Sequence, residues 1–390
     1  MIRLKTGITD LRLTNFRSYS FLDLKLDESL LPVILTGSNG AGKTNILEAV
    51  SFLTAGKGLR GARLSDVGRR SNSAALLNAD IIQLPERWSV VAQIQNQDGT
   101  VRIGTGTVDG SERRQIRIDG KNITKQSELG RVLRCLWLTP AQDRLFCGDP
   151  QARRRFLDRL VQAFDATHAN RLSDYNAAFK QWSCLLREGR FDDRWLSALE
   201  EQMVACGVAI AASRIDVVNR IGHYLSQPFS EAFPTPDVVL TGVVEQNLIA
   251  KTALQAEEEF AVSLRRSRKI YADGGSVAGP HIADFKVIHA QKGMDAALCS
   301  TGEQKALLLS IILAEMKTQM QEQGLCPLLL LDEVTAHLDV NRRNILFDIL
   351  SALPVQVWMT GTDVMNFAYL ANRAQFFDVQ DSNLSLQNVA

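Results

Sequence analysis

The sequence predicts an α/β fold whose parallel sheet takes strands from two distant parts of the chain. The apolar run 31–36 leads directly into a glycine loop and then into a helical pattern. A second apolar run, 328–331, ends in Asp332 and Glu333. Helical patterns fill most of 150–275, between the two runs. Short continuous apolar runs are typical of buried parallel strands, so we expect both runs in one sheet with a helical insertion between them.

The glycine loop fits the Walker A pattern G-x-x-x-x-G-K-S/T. Its residues are Gly37, Ser38, Asn39, Gly40, Ala41, Gly42, Lys43 and Thr44. Glycines let the backbone turn tightly, so that successive N–H groups can point at one phosphate chain. We expect Lys43 to reach the β- and γ-phosphates of ATP and Thr44 to offer its hydroxyl to Mg²⁺.

The second run fits a Walker B strand followed by two carboxylates. Asp332 is predicted to hold Mg²⁺, directly or through water, and Glu333 to orient and deprotonate the attacking water. A pair that caps the next helix is the alternative, less favoured after four leucines. Asp332 comes 288 positions after Thr44, whereas a small-molecule kinase usually completes its site within one compact domain.

A second glycine-containing helix start lies upstream of the Walker B strand. Ser300, Gly302 and Gln304 open a strong helical pattern that runs to about 323. Such a helix start attracts anions, although an ordinary N-cap would look similar. One chain cannot easily place two such starts on one γ-phosphate, so we expect this helix to face the nucleotide of another copy.

These motifs resemble those of ABC-type ATPases of the SMC class, and most of all those of the RecF family. The stretch 11–19 resembles the family's opening L-x-N-F-R-S/N-Y, and 300–305 matches its signature S-x-G-x-Q-K. The stretch 136–143 resembles the segment that includes the Q-loop, and 336–339 resembles the D-loop. The resemblance covers nearly the whole chain.

The resemblance implies an ABC-type P-loop ATPase head that is split between N- and C-terminal parts, with an antiparallel β lobe and an inserted α-helical arm domain. We expect 1–149 and 276–390 to form the head and 150–275 the arm. The second part of the head would carry the signature, Walker B and the D-loop.

The resemblance also assigns residue roles. It implies that Arg17 lies near the nucleotide phosphates and that Gln142 senses Mg²⁺ and the attacking water. Asp339 belongs to the D-loop, and Thr362 is placed near the switch position, where ABC transporters carry a histidine. The chain departs from the family's G-P-H-R-D-D pattern at Ile282 and Ala283, so contacts of that arginine are not expected here.

The function that the resemblance implies is that of a slow DNA-dependent ATPase of recombinational repair. Such a protein forms a homodimer on ATP and Mg²⁺, binds duplex DNA or single/double-strand junctions, and helps RecO and RecR to load RecA. An ABC transporter ATPase subunit is the alternative. It is disfavoured by the Asn15–Tyr19 opening, by the helical insertion and by Thr362.

Local patterns also predict several strands and helices. Segments 88–95, 101–108 and 114–118 look like an antiparallel meander. Asp149 is a plausible N-cap for a helix, and 252–271 is predicted to be another helix.

Basic residues mark candidate DNA contacts, because phosphate binding needs clustered cations. The preferred set is Lys57, Arg60, Arg63, Arg69 and Arg70. Weaker candidates are Arg113, Arg114, Arg117, Lys121, Arg153, Arg154, Arg265, Arg266 and Arg268. For any single one of these, a solvated helix or hairpin face is the more common explanation.

Composition limits the classes of function that the chain can have. A net charge of +1 means that a DNA surface must be a local patch. Six scattered cysteines without a C-x-x-C exclude a zinc hook and fit a reducing cytosol. No apolar run approaches transmembrane length, so we expect a cytoplasmic protein without a membrane segment.

Overall fold

A computed structural model describes residues 5–69, 87–96, 98–108, 113–227, 229–324 and 326–389. They form two compact units. The first unit holds the described residues up to Gln142 and those from Met320 onward, and the second holds Asp143–Gln319. The predicted arm, 150–275, lies inside the second unit, which also includes the start of the helix that follows Ser300.

The strands are β1 Gly7–Phe16, β2 Tyr19–Lys25, β3 Val33–Thr36, β4 Ser89–Asn96, β5 Gly99–Gly106, β6 Gln115–Ile118, β7 Lys121–Ile123, β8 Cys135–Leu138, β9 Pro236–Thr241, β10 Asp284–His289, β11 Met294–Asp295, β12 Leu328–Leu331, β13 Val357–Gly361, β14 Gln375–Gln380 and β15 Asn383–Gln387. The helices are α1 Lys43–Ser51, α2 Leu129–Val132, α3 Pro150–Gln162, α4 His168–Arg187, α5 Asp193–Leu225, α6 Val243–Ala250, α7 Ala253–Ala272, α8 Thr301–Glu322 and α9 Val340–Ser351.

The first unit contains a six-stranded sheet in the order β15-β14-β3-β13-β12-β8. Its strands pair in parallel, apart from the antiparallel edge strand β15. Every residue of β3, β12 and β13 is buried, which explains their apolar sequences. In register, Thr36 lies beside Gly361, Met359 beside Leu331, and Leu331 beside Leu138. The carboxyl ends of four strands therefore meet at one edge, where open α/β sheets bind ligands.

A second six-stranded sheet of this unit is antiparallel, in the order β2-β1-β4-β5-β6-β7. Strands β4, β5 and β6 match the predicted meander to within about two residues. Strand β1 pairs with both β2 and β4, so the opening strands belong to the same lobe. Phe16, Phe52 and Trp88 pack edge to face with centroids 5.3–5.9 Å apart and join β1 and β4 to the end of α1.

Arg114 is turned into this lobe. Its guanidinium donates hydrogen bonds to the carbonyls of Phe52, Thr54 and Gly56, which follow α1. Burial lowers its pKa to about 10. Arg114 therefore satisfies carbonyls beyond a helix C-terminus, a role that differs from the predicted DNA contact.

The second unit packs helices α3 to α7 with a small antiparallel sheet in the order β11-β10-β9, which sequence reasoning did not predict. Helices α4, α5 and α7 enclose a core that includes Trp182, Met203 and Phe260. Two predicted helix starts are confirmed, because Asp149 caps α3 and Thr252 forms a capping box at α7. No helix in the described ranges is both long and apolar enough to cross a membrane.

Several arginines of this unit serve internal ion pairs. Arg153 pairs with Asp284 at 2.8 Å, and Arg268 pairs with Glu200 at 2.7 Å. Arg154 donates to the carbonyl of Ala283 at 2.8 Å. These three candidates for DNA contacts have internal partners that help to hold the second unit together.

Glu315 lies on the buried face of α8, where the side chain of Gln319 donates a hydrogen bond to it at 3.2 Å. Burial raises the pKa of this carboxyl to about 8, against the weaker opposing effect of Arg159. The folded chain therefore holds a proton on Glu315 that the unfolded chain releases near its ordinary pKa of about 4.3.

We predict that the free energy of unfolding falls as pH rises from about 5 to 8, by no more than about 1.4 kcal/mol per pH unit from this one group. Glu315→Gln, which stays neutral, should flatten that slope. Urea unfolding across this pH range measures it, with Glu322→Gln at the exposed end of the same helix as control. Equal slopes in wild type and Glu315→Gln would refute the assignment.

Candidate functional site: a phosphate loop and paired carboxylates

The phosphate loop joins β3 to α1 and has an unusual backbone. Gly37, Gly40 and Gly42 all have positive φ angles, of 143°, 86° and 114°. A Cβ on Gly37 would lie 2.2 Å from the carbonyl oxygen of Val379, so only glycine fits. Tyr19 donates its hydroxyl to the Gly42 carbonyl at 3.2 Å, and burial raises its pKa. Tyr19 thus supports the loop, a role that sequence reasoning missed.

Lys43 is buried at the start of α1. Its ammonium donates to the carbonyls of Gly37 and Ser38, at 2.6 and 2.9 Å. The same ammonium lies 3.7 Å from a carboxylate oxygen of Glu333. One cation therefore connects the phosphate loop to the carboxylate that follows β12.

Asp332 is the meeting point of three segments. Thr44 donates its hydroxyl to this carboxylate, 3.0 Å from each oxygen. Thr360, at the end of β13, donates to Oδ1 at 2.7 Å. Asp332 is only 4% exposed, so both hydroxyls meet it in a buried setting. The structure thus brings together the Walker A threonine and the Walker B aspartate.

Glu333 follows with a positive φ of 50°, a left-handed conformation that costs about 1–2 kcal/mol for a residue with a Cβ. Its amide donates to Thr360 Oγ1 at 2.8 Å, which holds the turn. The Glu333 side chain is 26% exposed. Glu333 is therefore a partly open carboxylate on a fixed backbone, beside Lys43.

The polar residue that reaches the carboxylates from β13 is Thr360 and not Thr362. Thr360 is fully buried and bonds both Asp332 and the Glu333 amide. Thr362 is exposed and lines a cleft of about 550 Å³ with Gly37, Ser38 and other residues. The sequence did offer one signal for Thr360, because it lies near the end of an apolar strand, and that strand pairs in parallel with β12.

Two arginines that were singled out from the sequence bind the same buried carboxylate on α1. Arg17 makes a bidentate pair with Glu48, at 2.6 and 2.8 Å, and also donates to the carbonyl of Asp66. Arg60 donates to the same carboxylate at 3.0 Å and to Asn45 at 2.9 Å. Glu48 is fully buried, and no sequence motif marked it as their common partner.

Gln142 follows β8, the neighbour of β12 in the sheet. Its side-chain oxygen accepts from the Thr139 amide at 3.0 Å, so the side chain folds back on its own turn. Asp339 caps α9 by accepting from the Arg342 amide at 2.9 Å, and it remains exposed. Both residues lie in the first unit.

The signature residues lie in the second unit. Ser300 and Glu303 form reciprocal hydrogen bonds at the start of α8, of 3.0 to 3.4 Å. A hydrogen bond from Lys292, followed by the Ser300 amide, lowers the pKa of Glu303 to about 2. Ser300 is exposed and Gly302 half-buried.

Gln304, which we expected at the nucleotide, points into the second unit. It is 5% exposed, and its amide donates to the Cys299 carbonyl at 2.9 Å. Its contacts in this structure therefore hold the turn before α8, which differs from the predicted nucleotide contact.

The predicted DNA contacts occupy the segment after α1. Lys57, Arg60, Arg63 and Arg69 are exposed, and Arg70 lies outside the described residues.

The two departures from the family pattern, Ile282 and Ala283, lie in the second unit, where Ile282 is exposed and Ala283 buried. In the part of the chain that is described, no group of three or more His, Cys, Asp and Glu could hold a metal ion.

Comparison with known proteins identifies the family. A family model described as the RecF/RecN/SMC N terminal domain matches residues 7–379. A curated relative from Allorhizobium ampelinum, "DNA replication and repair protein RecF", is 44% identical over 98% of this chain and 99% of its own length. The chain belongs to the RecF family. A relative of the same name from Agrobacterium fabrum is 42% identical over 99% of this chain and 100% of its own.

Solved structures show the same fold. The recombination mediator RecF-ATPrS of the RecFOR pathway aligns with a TM-score of 0.79 at 21% identity, over 98% of this chain and 99% of its own. The Smc head domain of Pyrococcus furiosus aligns with a TM-score of 0.53 at 15% identity, over 98% and 96%. The predicted ABC-type ATPase fold of the RecF and SMC-head kind is therefore confirmed.

We predict that Thr360→Val weakens both the fold and the site. The variant keeps the side-chain shape but leaves the Glu333 amide without its partner and removes one of the hydrogen bonds to Asp332. An unpaired buried polar group costs about 1–3 kcal/mol, and ATP turnover should fall with it. Urea unfolding and steady-state hydrolysis measure the two effects. Thr362→Val is the matched comparison, and greater damage from that variant than from Thr360→Val would refute the prediction.

Proposed function

We propose that this chain is a DNA-dependent ATPase of recombinational repair that dimerises around ATP. The observation that carries the proposal is the union of Thr44, Lys43, Asp332 and Glu333 at one sheet edge. These residues come from both parts of the chain. The loop, its lysine and the carboxylates are the parts that P-loop enzymes use to hold and cleave a nucleoside triphosphate.

The donors fit a magnesium nucleotide. The Thr44 hydroxyl and the Asp332 carboxylate supply hard oxygen ligands, and Mg²⁺ commonly takes one or two of these together with phosphates and waters. When bound, Mg²⁺ would neutralise charge on the β- and γ-phosphates. Lys43, now bonded to loop carbonyls, would turn its ammonium to the phosphates. Glu333 would accept the proton of the attacking water.

The signature helix supports a shared site. Ser300 is exposed at the start of α8, where the helix dipole favours an anion. We propose that Ser300 and Gly302 meet the γ-phosphate held by a second copy, with Asp339 beside the same interface. Gln142 would swing from Thr139 towards the water and Mg²⁺. ATP would then be part of the contact between the two copies, and its hydrolysis would allow the dimer to separate.

DNA is the proposed regulator. Lys57, Arg63 and Arg69 are exposed on the segment that follows α1, and Arg60 joins that segment to Glu48. The relatives are named DNA replication and repair proteins. We propose that the chain binds duplex or gapped DNA and works with RecO and RecR. The result would be the loading of RecA, and the reaction would take place in the cytoplasm. The head and arm boundaries at 149/150 and 275/276 belong to the same proposal.

Glu333→Gln should lower ATP turnover by about 10²–10⁴-fold, because the base is lost while the side-chain shape remains. ATP should then accumulate a stable dimer, seen by sedimentation velocity. Adding Ser300→Arg to that variant should abolish the dimer while leaving ATP binding in place. Glu28→Gln, an exposed glutamate of the same unit, is the control. Unchanged turnover in Glu333→Gln would remove this residue as the base.

Lys57→Glu and Arg63→Glu should each weaken DNA binding without loss of basal ATP hydrolysis. If each cation contacts a phosphate, the slope of log affinity against log salt should shrink by about one per substitution. Fluorescence anisotropy with duplex and gapped DNA across a salt series measures this. Lys25→Glu on β2 gives the same change of charge elsewhere, and an equal loss in that variant would refute a local DNA surface.

A further inference from the structure

The hairpin formed by β14 and β15 extends past the end of β3 and lies against the phosphate loop. In register, Thr36 is the last residue of β3 and lies beside Asp378. Strand β14 continues beyond that point to Gln380. Gly37, which follows Thr36, is so close to this extension that a Cβ on it would lie 2.2 Å from the Val379 carbonyl oxygen. The hairpin is therefore in direct contact with the start of the loop.

The tip of the hairpin contacts the middle of the loop. The amide of Ser382 donates a hydrogen bond to the carbonyl of Ala41 at 3.1 Å. Ala41 is only 5% exposed, and a buried carbonyl needs a partner within the protein. The hairpin thus holds the phosphate loop at two points, Gly37 and Ala41.

The turn at the tip has an unusual backbone. Gln380 pairs with Asn383, so only Asp381 and Ser382 connect the two strands. Their φ angles are 46° and 63°, and positive φ at both residues is the mark of a type I′ turn. Such a turn favours asparagine or aspartate followed by glycine. The second residue here is a serine, for which a positive φ is uncommon.

The bond from Ser382 fixes the direction of one peptide group of the loop. In a planar trans peptide, the C=O group and the following N–H group point to opposite sides. Because the Ala41 carbonyl faces the hairpin, the N–H of Gly42 is turned away from the hairpin. Loops of this kind bind phosphate through such amides.

Tyr19 orients the next peptide group in the same way. Its hydroxyl donates to the Gly42 carbonyl at 3.2 Å. Lys43, in contrast, holds the first carbonyls of the loop with its ammonium, which a bound triphosphate would recruit. The bonds from Tyr19 and Ser382 use no group that a nucleotide needs, so they can persist when ATP binds.

We propose that the turn formed by Asp381 and Ser382 is a positioning element for ATP. The Ser382 amide holds the peptide between Ala41 and Gly42 so that its N–H faces the phosphates. This inference rests on the ATP site proposed above and adds the hairpin to it. Ser382 acts through the loop and not on the phosphates, and its side chain matters only through the conformation of the turn.

A matched pair of double variants separates the turn conformation from the two side chains. Asp381→Asn with Ser382→Gly introduces the residues that a type I′ turn prefers. Asp381→Pro with Ser382→Gly fixes the first φ near −65°, which that turn does not allow. Both double variants remove the same two side chains, but only the proline variant displaces the amide from Ala41.

ATP affinity of the full chain is the first measurement, with a fluorescent ATP analogue, followed by KM and kcat for hydrolysis. The asparagine variant should bind ATP like wild type. The proline variant should bind ATP about tenfold more weakly or worse, because a misdirected amide loses a hydrogen bond to a charged group. Its KM should rise more than its kcat falls, since the amide contacts the phosphates in the ground state and in the transition state.

Thermal unfolding without nucleotide separates positioning from a purely structural role. A turn that only stabilises the unit would lower the unfolding midpoint in the proline variant and leave the ATP affinity of the folded chain unchanged. Equal ATP affinity in the two double variants would overturn the inference, whether both match wild type or both fall below it. Wild type that binds no ATP would refute the proposed function together with this inference.

Two single substitutions decide the question if the proline variant lacks a cooperative unfolding transition. Ser382→Gly relieves the left-handed backbone, and Ser382→Val makes it less favourable because valine is β-branched. Ser382→Gly should bind ATP at least as tightly as wild type, and Ser382→Val about fivefold more weakly or worse. Equal ATP affinity in these two variants would overturn the inference.

Discussion

The carboxylate of Asp332 is the constraint on which the nucleotide site depends. It accepts hydrogen bonds from Thr44 at 3.0 Å and from Thr360 at 2.7 Å, and these hydroxyls belong to different neighbours in the fold. Because an unpaired buried carboxylate is unfavourable, the start of α1 and the ends of β12 and β13 are held at one point. The same contacts fix the turn at Glu333, whose left-handed backbone has its amide bonded to Thr360.

Helix α1 extends this constraint to the rest of the first unit. Its start carries Lys43 and Thr44, its middle carries the buried Glu48, and Arg114 satisfies the carbonyls that follow its end. Arg17 and Arg60 reach Glu48 from two different segments. Arg60 therefore connects the surface after α1 to the helix that begins at the nucleotide loop.

Sequence reasoning reached the parts of the site that are contiguous in the chain. The glycine loop and the leucine run before Asp332, like the helix starts near Asp149 and Thr252 outside the site, each need only local residues, and local patterns are sufficient to identify them. Thr360 needed the register of β13 against β12, which depends on which strands are neighbours. Thr362, placed near the switch position by resemblance, stays a prediction.

Charge alone was a poor guide to position. Arg114, Arg153 and Arg268 look like surface cations in the sequence, but each has internal oxygen partners. Glu200 belongs to no sequence motif that would predict its pairing with Arg268. The strands β9 and β10 were missed because each is short, and their burial depends on helices elsewhere in the second unit.

The strand order also has a consequence for folding during synthesis. Strand β3 carries the phosphate loop, yet both of its neighbours, β13 and β14, are made much later, and Thr36 bonds Phe377 across 341 positions. The second unit is continuous and can fold while the ribosome is still working, since domains generally fold as units. The phosphate loop must wait until β13 and β14 have been made, so a chain interrupted before them would carry its glycines without the strands that shape them.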